Sequence, residues 1–103
     1  MRIVIPTKQG RIAPRLEEAE QFALFEIDGC MLLGQSAFAP AADVAAELCR
    51  RGANLVICGR MRRQTAIVLR RARVEIILGA AGDAEGVLLR YLSGESVGEE
   101  ELD

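Results

Sequence analysis

One stretch near the middle of the chain limits the possible folds more than any other. The run Leu55–Cys58 contains no polar residue, and Gly59 and the basic Arg60 follow it directly. Apolar runs without polar alternation are typical of strands covered on both faces, such as the central parallel strands of α/β sheets. Ligands of these sheets bind just beyond the carboxyl ends of the strands. The stretch therefore predicts a buried central strand with a candidate binding site at its end.

The rest of the chain alternates between strand and helix patterns. β-Branched residues predict a first strand over residues 1–5 that ends at Pro6, because proline cannot donate to a sheet. Asp28 and Gly29 lie between two apolar runs and predict a tight hairpin turn between strand two, 22–27, and strand three, 30–35. Helices are expected at residues 41–51, 62–72 and 83–92, around strand four at 55–58 and strand five at 74–78.

The order of these elements predicts the topology. Right-handed crossovers place strand four beside strand five, with strand one on its other flank. The predicted fold is an α/β domain of three layers, with helices on both faces of a mixed five-stranded sheet of order 3-2-1-4-5 and strand two antiparallel. This is the ribonuclease-H-like arrangement. It brings Thr7, the segment 58–60 and the glycine-containing segment 79–82 to one edge of the sheet.

Length and composition restrict the class of protein. The 103 residues predict one domain, 1–94, and an acidic, disordered tail, 95–103, that holds five of the 15 acids. The apolar runs are too short for a membrane helix, and three cysteines without close pairing fit a reducing, cytoplasmic setting. Histidine is absent, which excludes histidine-dependent nucleophiles and histidine ligation of metals within the chain.

Catalytic chemistry has little support in the sequence. Two-metal phosphoryl transfer requires clustered carboxylates on the central strands, and neither Ile3–Ile5 nor Leu55–Ile57 contains an acid. No acid–base pair is evident elsewhere, so we predict that the protein is not an enzyme. Nucleic-acid binding is not favoured either, because the few aromatic residues do not interleave with the basic ones as stacking platforms would.

The candidate site combines a thiol with a basic rim. Cys58 precedes a predicted helix N-terminus, whose partial positive charge favours a thiolate, although a buried core thiol is an equal alternative. Free N–H groups and guanidinium groups at that N-terminus are suited to anions, with a solvated arginine face as the alternative. We predict cofactor binding by six residues, with Cys58 as the metal ligand: Thr7, Cys58, Gly59, Arg60, Arg62 and Arg63.

Four segments of the chain, in this order and spacing, resemble one known family. They are Met1–Pro6, Arg11–Pro14 followed by Glu17 and Ala19, Asn54–Gly59, and Gly86–Gly94. The chain is similar to the dinitrogenase iron–molybdenum cofactor biosynthesis family, which includes NifX and the C-terminal domain of NifB. The resemblance implies a ribonuclease-H-like domain that binds or carries an iron–sulfur or molybdenum-containing cluster rather than catalysing a reaction.

The chain also departs from that family's pattern. It has no histidine in the segment after strand one, where many relatives have one, and Arg62, Arg63 and Arg73 replace small or glycine residues around the second helix. A left-handed conformation at Arg73 would cost about 1–2 kcal/mol, so this corner is expected to differ from the relatives.

Two functions from different classes follow from these patterns. The first is a non-enzymatic carrier of a metal–sulfur cluster or related small anion, with Cys58 as soft ligand and the arginines as charge partners. The second is a cofactor-free interaction or regulatory domain that forms a homodimer or binds an acidic protein partner. Its interface would be the arginine-rich helix or the exposed edge of strand three.

Overall fold

The computed structural model describes residues 1–100, which form three α-helices and seven strands. The helices are α1 (Val44–Arg50), α2 (Arg63–Arg71) and α3 (Ala84–Leu92), and a 3₁₀ turn lies at Leu16–Glu18. The strands are β1 (Arg2–Lys8), β2 (Arg11–Ile12), β3 (Gln21–Asp28), β4 (Met31–Phe38), β5 (Leu55–Ile57), β6 (Glu75–Leu78) and β7 (Glu99–Glu100).

All seven strands belong to one open sheet. Its order is β4-β3-β1-β5-β6-β7, and β2 pairs with β1 beside this path. β1, β5 and β6 are parallel, whereas β3 is antiparallel to both β1 and β4. The prediction of a mixed α/β sheet is confirmed. The predicted number of strands was too small, because β2 and β7 have two residues each and leave no periodic pattern in the sequence.

Side chains from the two faces of the sheet pack into two separate cores. Val4 on β1 belongs to the core covered by α1 and α2, while its neighbours Ile3 and Ile5 belong to the core covered by α3. This alternation follows from the two-residue period of a strand. Every residue of β5 is fully buried, which confirms the prediction of a strand covered on both faces. None of the helices within residues 1–100 is long and apolar enough to span a membrane.

The first strand does not end at Pro6 as predicted. β1 continues to Lys8, and Pro6 pairs with Phe22 on β3. On its other side, β1 pairs with β5 only at Ile3 and Val4. Beyond these residues the Pro6 carbonyl oxygen accepts a hydrogen bond from the Ala13 N–H at 2.9 Å. Proline is tolerated here because the segment at Ala13 needs only the carbonyl acceptor of residue 6, and not the N–H donor that proline lacks.

The corner after α2 contradicts a second expectation. Arg73 has a φ of 64°, so it adopts the left-handed conformation that was expected to be avoided. The Arg73 N–H donates to the Arg70 carbonyl and the Val74 N–H to the Leu69 carbonyl, both at 2.9 Å. These two bonds form the Schellman motif that ends many helices, usually with glycine at the position of Arg73. These hydrogen bonds to the last carbonyl groups of α2 offset the backbone strain of the positive φ at Arg73.

The acidic end of the chain returns to the sheet. Glu99 and Glu100 in β7 pair with Leu78 and Ile77, and Gly98 fits where a Cβ atom would collide with the Leu78 carbonyl oxygen. The close backbone approach at glycine allows this antiparallel pair to form within the segment predicted as an acidic tail. Residues 101–103 lie outside the described residues.

Candidate functional site

The carboxyl ends of the parallel strands are joined into one edge by backbone hydrogen bonds. The Gly79 N–H donates to the Gly59 carbonyl at 2.8 Å, and the Ala80 N–H donates to the Cys58 carbonyl at 3.1 Å. The Ile12 N–H donates to the Gly82 carbonyl at 2.8 Å, which ties β2 to the same edge. The segments after β5 and β6 therefore meet where the sequence predicted a ligand site.

A cavity of about 370 Å³ opens at this edge. Arg60 is exposed and contributes the only cationic side chain among the cavity's lining residues. Glu99 on β7 lies on the same cavity and brings negative charge to it. The lining residues are Gly59, Arg60, Leu78, Gly79, Gly98 and Glu99. Their three glycines leave backbone groups accessible to a ligand, beside one guanidinium group suited to an anion.

Gly59 allows the segment after β2 to dock against the end of β5. A Cβ atom at Gly59 would lie 2.6 Å from the Pro14 carbonyl oxygen, closer than two such atoms can approach. That oxygen accepts from the Arg60 N–H at 2.9 Å, and the Arg60 carbonyl accepts from the Leu16 N–H at 2.8 Å. Glycine is required here for close packing of two backbones, and not for an unusual φ.

Cys58 is buried beneath the cavity and does not line it. Its side chain is fully inaccessible and belongs to the core covered by α1 and α2. The nearest polar partner of the Cys58 Sγ atom is the Arg60 carbonyl oxygen at 3.7 Å. Burial, together with the negative charge of Glu17, raises the pKa of the Cys58 thiol to about 12. Of the two interpretations that the sequence allowed, the structure favours the buried core thiol over the thiolate, because a thiol with this pKa is protonated near neutral pH.

Glu17 occupies the helix N-terminus that was expected to bind an external anion. Its Oε2 atom accepts from the Arg62 N–H at 3.1 Å and from the Thr65 hydroxyl at 2.9 Å. Arg62 is the N-cap residue of α2 and has no side-chain cap of its own. An internal carboxylate thus supplies the charge that favours a helix N-terminus. Sequence reasoning missed this role, since Glu17 and Arg62 are 45 residues apart.

The predicted site residues are distributed over different places. Gly59 and Arg60 share the edge cavity, whereas Arg62 lines a groove of about 360 Å³ between the N-terminal ends of α1 and α2. Arg63 is exposed and lines neither space. Thr7 lines neither as well, and its hydroxyl donates to the Gln21 carbonyl at 3.2 Å. Of the six candidates, the structure brings only Gly59 and Arg60 together at the edge cavity.

The donor set at this edge does not fit direct ligation of a metal. Within residues 1–100, no group of three or more cysteine or acidic side chains is placed to hold a metal ion. The one cysteine nearby has a raised pKa, and thiols bind metals as thiolates. Exposed guanidinium groups at Arg60 and Arg62 instead suit a ligand that carries its own negative charge.

Comparisons with known proteins agree with the fold. A family model described as dinitrogenase iron–molybdenum cofactor matches residues 1–94. A crystal structure from Methanocaldococcus jannaschii, of a protein provisionally named a dinitrogenase, is 14% identical with a TM-score of 0.86 and covers 100% of this chain and 96% of that one. The NMR structure of a Thermotoga protein provisionally named NifB is 19% identical with a TM-score of 0.73, and covers 95% of this chain and 91% of that one. No curated protein matches the chain.

Proposed function

The chain belongs to the dinitrogenase iron–molybdenum cofactor family, and from this premise we propose that it is a non-enzymatic accessory domain that carries an anionic cargo. The cargo class is an iron–sulfur or molybdenum-containing cluster, or a smaller metal–sulfur anion related to it. The edge cavity beyond β5 and β6 is the proposed place of binding. The observation that supports this most directly is the exposed Arg60 guanidinium on a cavity lined by three glycines.

In this proposal, charge and backbone contacts hold the cargo. Arg60 faces the cavity, and Arg62 and Arg63 add positive charge on the segment that follows it. Guanidinium groups donate several hydrogen bonds in a fixed plane and keep their charge at all physiological pH values. Cys58 is fully buried in the core, so its thiol would reach the cargo only after a local rearrangement that uncovers it.

The sequence of the central strands supports a role without catalysis. Neither β1 nor β5 contains a carboxylate, so the residues that two-metal phosphoryl transfer would use are absent from these strands. Reversible binding with few strong ligands also suits a carrier, because a cargo must leave as well as arrive. All three cysteines are free thiols, which fits our expectation of a cytoplasmic setting.

Titration of the full chain with tetrathiomolybdate under anaerobic conditions tests the proposal. This anion combines molybdenum, sulfur and negative charge, and its own absorption measures the bound amount once free anion is removed by equilibrium dialysis or gel filtration. We expect Arg60→Glu to weaken its affinity by about tenfold or more, since the substitution replaces an attraction to the divalent anion with a repulsion. The matched control is Arg71→Glu, an exposed arginine at the opposite end of α2, which we expect to leave the affinity within about twofold.

Cys58→Ser separates the two modes of holding the cargo. If charge holds the anion, this variant retains as much absorbing anion after gel filtration as the wild type; if the thiol ligates molybdenum, the variant retains much less. Failure of the wild type to bind tetrathiomolybdate, or equal weakening by the substitutions at Arg60 and Arg71, would contradict binding at the edge cavity.

A further inference from the structure

The segment between β2 and β3 brings a second arginine beside Arg60. Arg15 and Arg60 form an isolated parallel bridge at the end of β5. Two backbone hydrogen bonds hold this bridge: the Arg60 N–H donates to the Pro14 carbonyl at 2.9 Å, and the Leu16 N–H donates to the Arg60 carbonyl at 2.8 Å. Residues paired in this way lie side by side and direct their side chains to the same face. The two arginine side chains therefore start from neighbouring positions.

The backbone beneath both arginines is held in place by buried neighbours. Ala13 and Leu16, on either side of Arg15 in the sequence, are fully buried. Cys58, on the other segment of the bridge, is fully buried as well. The two arginines themselves are exposed. Two solvent-facing cations thus project from backbone positions that the packing of the core keeps together.

The two guanidinium groups are not neutralised by the protein around them. Within residues 1–100, no carboxylate forms an ion pair with Arg15 or Arg60, and neither guanidinium donates a hydrogen bond. Like charges on directly paired residues are destabilising. An anion that accepts hydrogen bonds from both groups would replace this repulsion with two attractions.

A second isolated bridge of the same segment has the opposite arrangement of charge. Arg11 is bridged to Asp83, so a cation there lies beside an acid. The like-charged bridge is the one next to the edge cavity, because Arg60 lines that cavity. The cavity continues on the β6 side of β5, and Arg15 lies on the other side of Arg60, where β1 no longer pairs with β5. Arg60 is therefore placed between the cavity and Arg15.

We propose that Arg15 and Arg60 form a two-arginine clamp that binds one tetrahedral, doubly charged anion at the rim of the edge cavity. This inference rests on the proposed function in taking the edge as an anion site, and it narrows the cargo by charge and shape. Each guanidinium is planar and presents parallel N–H groups to two atoms of one ligand. Two such groups match the charge of a divalent anion and can bind different edges of its tetrahedron. The oxygen anion molybdate and the sulfur anion tetrathiomolybdate share this chemistry.

Equilibrium dialysis followed by metal analysis tests the clamp on the full chain. The probes are molybdate and tetrathiomolybdate, which are divalent, and perrhenate, a tetrahedral anion with a single charge. We expect the wild type to bind one divalent anion per chain, and perrhenate about tenfold more weakly or worse. Arg15→Gln should weaken the binding of the divalent anions by about tenfold or more and reduce their advantage over perrhenate. The matched control Arg11→Gln removes the arginine that lies beside Asp83 and should stay within about twofold of the wild type.

The side-chain NMR signals of the arginines identify the groups that hold the anion. In the clamp, the Nε–Hε signals of Arg15 and Arg60 shift together during a titration with molybdate, with one dissociation constant, while the signal of Arg11 stays in place. A shift at Arg60 alone, or an Arg15→Gln variant that binds both divalent anions like the wild type, would overturn the clamp and leave the carrier proposal standing. Binding of molybdate through both arginines without binding of tetrathiomolybdate would support the clamp and contradict a metal–sulfur cargo. A protein that binds neither divalent anion would refute both.

Discussion

Replacement of Gly59 by alanine tests how the candidate site is built. The new Cβ atom would lie 2.6 Å from the Pro14 carbonyl oxygen and 3.3 Å from the Pro14 Cα atom. To restore an ordinary contact, the Pro14 segment must move by about 0.8 Å, which would lengthen a 2.9 Å hydrogen bond beyond its useful range. The movement therefore breaks the bonds from the Arg60 N–H to Pro14 and from the Leu16 N–H to Arg60.

The expected cost follows from these contacts. Two lost backbone hydrogen bonds contribute about 0.5–1.5 kcal/mol each. Forced repacking at a close contact contributes about 1–3 kcal/mol, and the lower entropy of unfolded alanine returns about 0.4–1 kcal/mol. We expect Gly59→Ala to lower the free energy of unfolding by about 3 kcal/mol, within a range of about 1–5 kcal/mol, measured by urea denaturation.

Gly86→Ala is a suitable control for the same substitution. Gly86 lies inside α3, and a Cβ atom there would meet only the Asp83 side chain, at 3.4 Å or more. Alanine should stabilise this helix position by about 0.5–1 kcal/mol. The two variants thus have opposite expected signs.

Reactivity of Cys58 with a thiol reagent gives a second measurement. The thiol is buried in the folded protein, and displacement of the Pro14 segment in Gly59→Ala should make it react faster. A Gly59→Ala protein that is within about 0.5 kcal/mol of the wild type, with Cys58 still protected, would refute the requirement for close packing at this glycine.

Three further predictions concern groups whose roles only the structure shows. The pKa of Cys58 rises from 9.0 to about 12 on folding, so the folded state binds the thiol proton more tightly than the unfolded state does. The free energy of unfolding should therefore fall by up to about 1.4 kcal/mol per pH unit above pH 9. This slope should disappear in Cys58→Ala. Glu17→Ala removes the acceptor for the Arg62 N–H and the Thr65 hydroxyl, and should lower the free energy of unfolding by about 1–2 kcal/mol in urea denaturation. The control Glu18→Ala changes an exposed neighbour and should lower it by less than about 0.5 kcal/mol. Arg73→Gly removes the strain of a positive φ and should raise the free energy of unfolding by about 0.5–1 kcal/mol; a loss of stability would show that the arginine side chain contributes more than its backbone costs.

The parts of the fold that were predictable depend on residues close together in the sequence. Gly29 has a φ of 62° in the predicted turn, and Asp83 caps α3 by accepting from the Gly86 N–H at 2.8 Å. Both outcomes follow from the chemistry of a few adjacent residues. The buried strand β5 could be predicted equally well, because an apolar run without polar alternation indicates a strand covered on both faces.

The errors have a common physical origin in contacts between distant segments. Pro6 continues a strand because Ala13 donates a hydrogen bond to its carbonyl and requires no N–H from residue 6. Arg73 is left-handed because this conformation lets the turn donate hydrogen bonds to the last carbonyl groups of α2. Glu99 and Glu100 join the sheet because Gly98 allows the backbone to approach Leu78. In each case the conformational preference of the local sequence is outweighed by backbone hydrogen bonds to partners that the neighbouring residues do not identify.

The amino-acid sequence by itself determined that this protein is an α/β domain of one family, with β5 at its centre and a ligand site expected at the end of that strand. Only the tertiary structure decided which residues face that site. Cys58 and Arg60 are two positions apart, yet one is buried and neutral while the other is exposed and charged. Their difference arises because Glu17 and the Pro14 segment fold over the strand end, and the accessibility and charge of a side chain depend on everything packed around it.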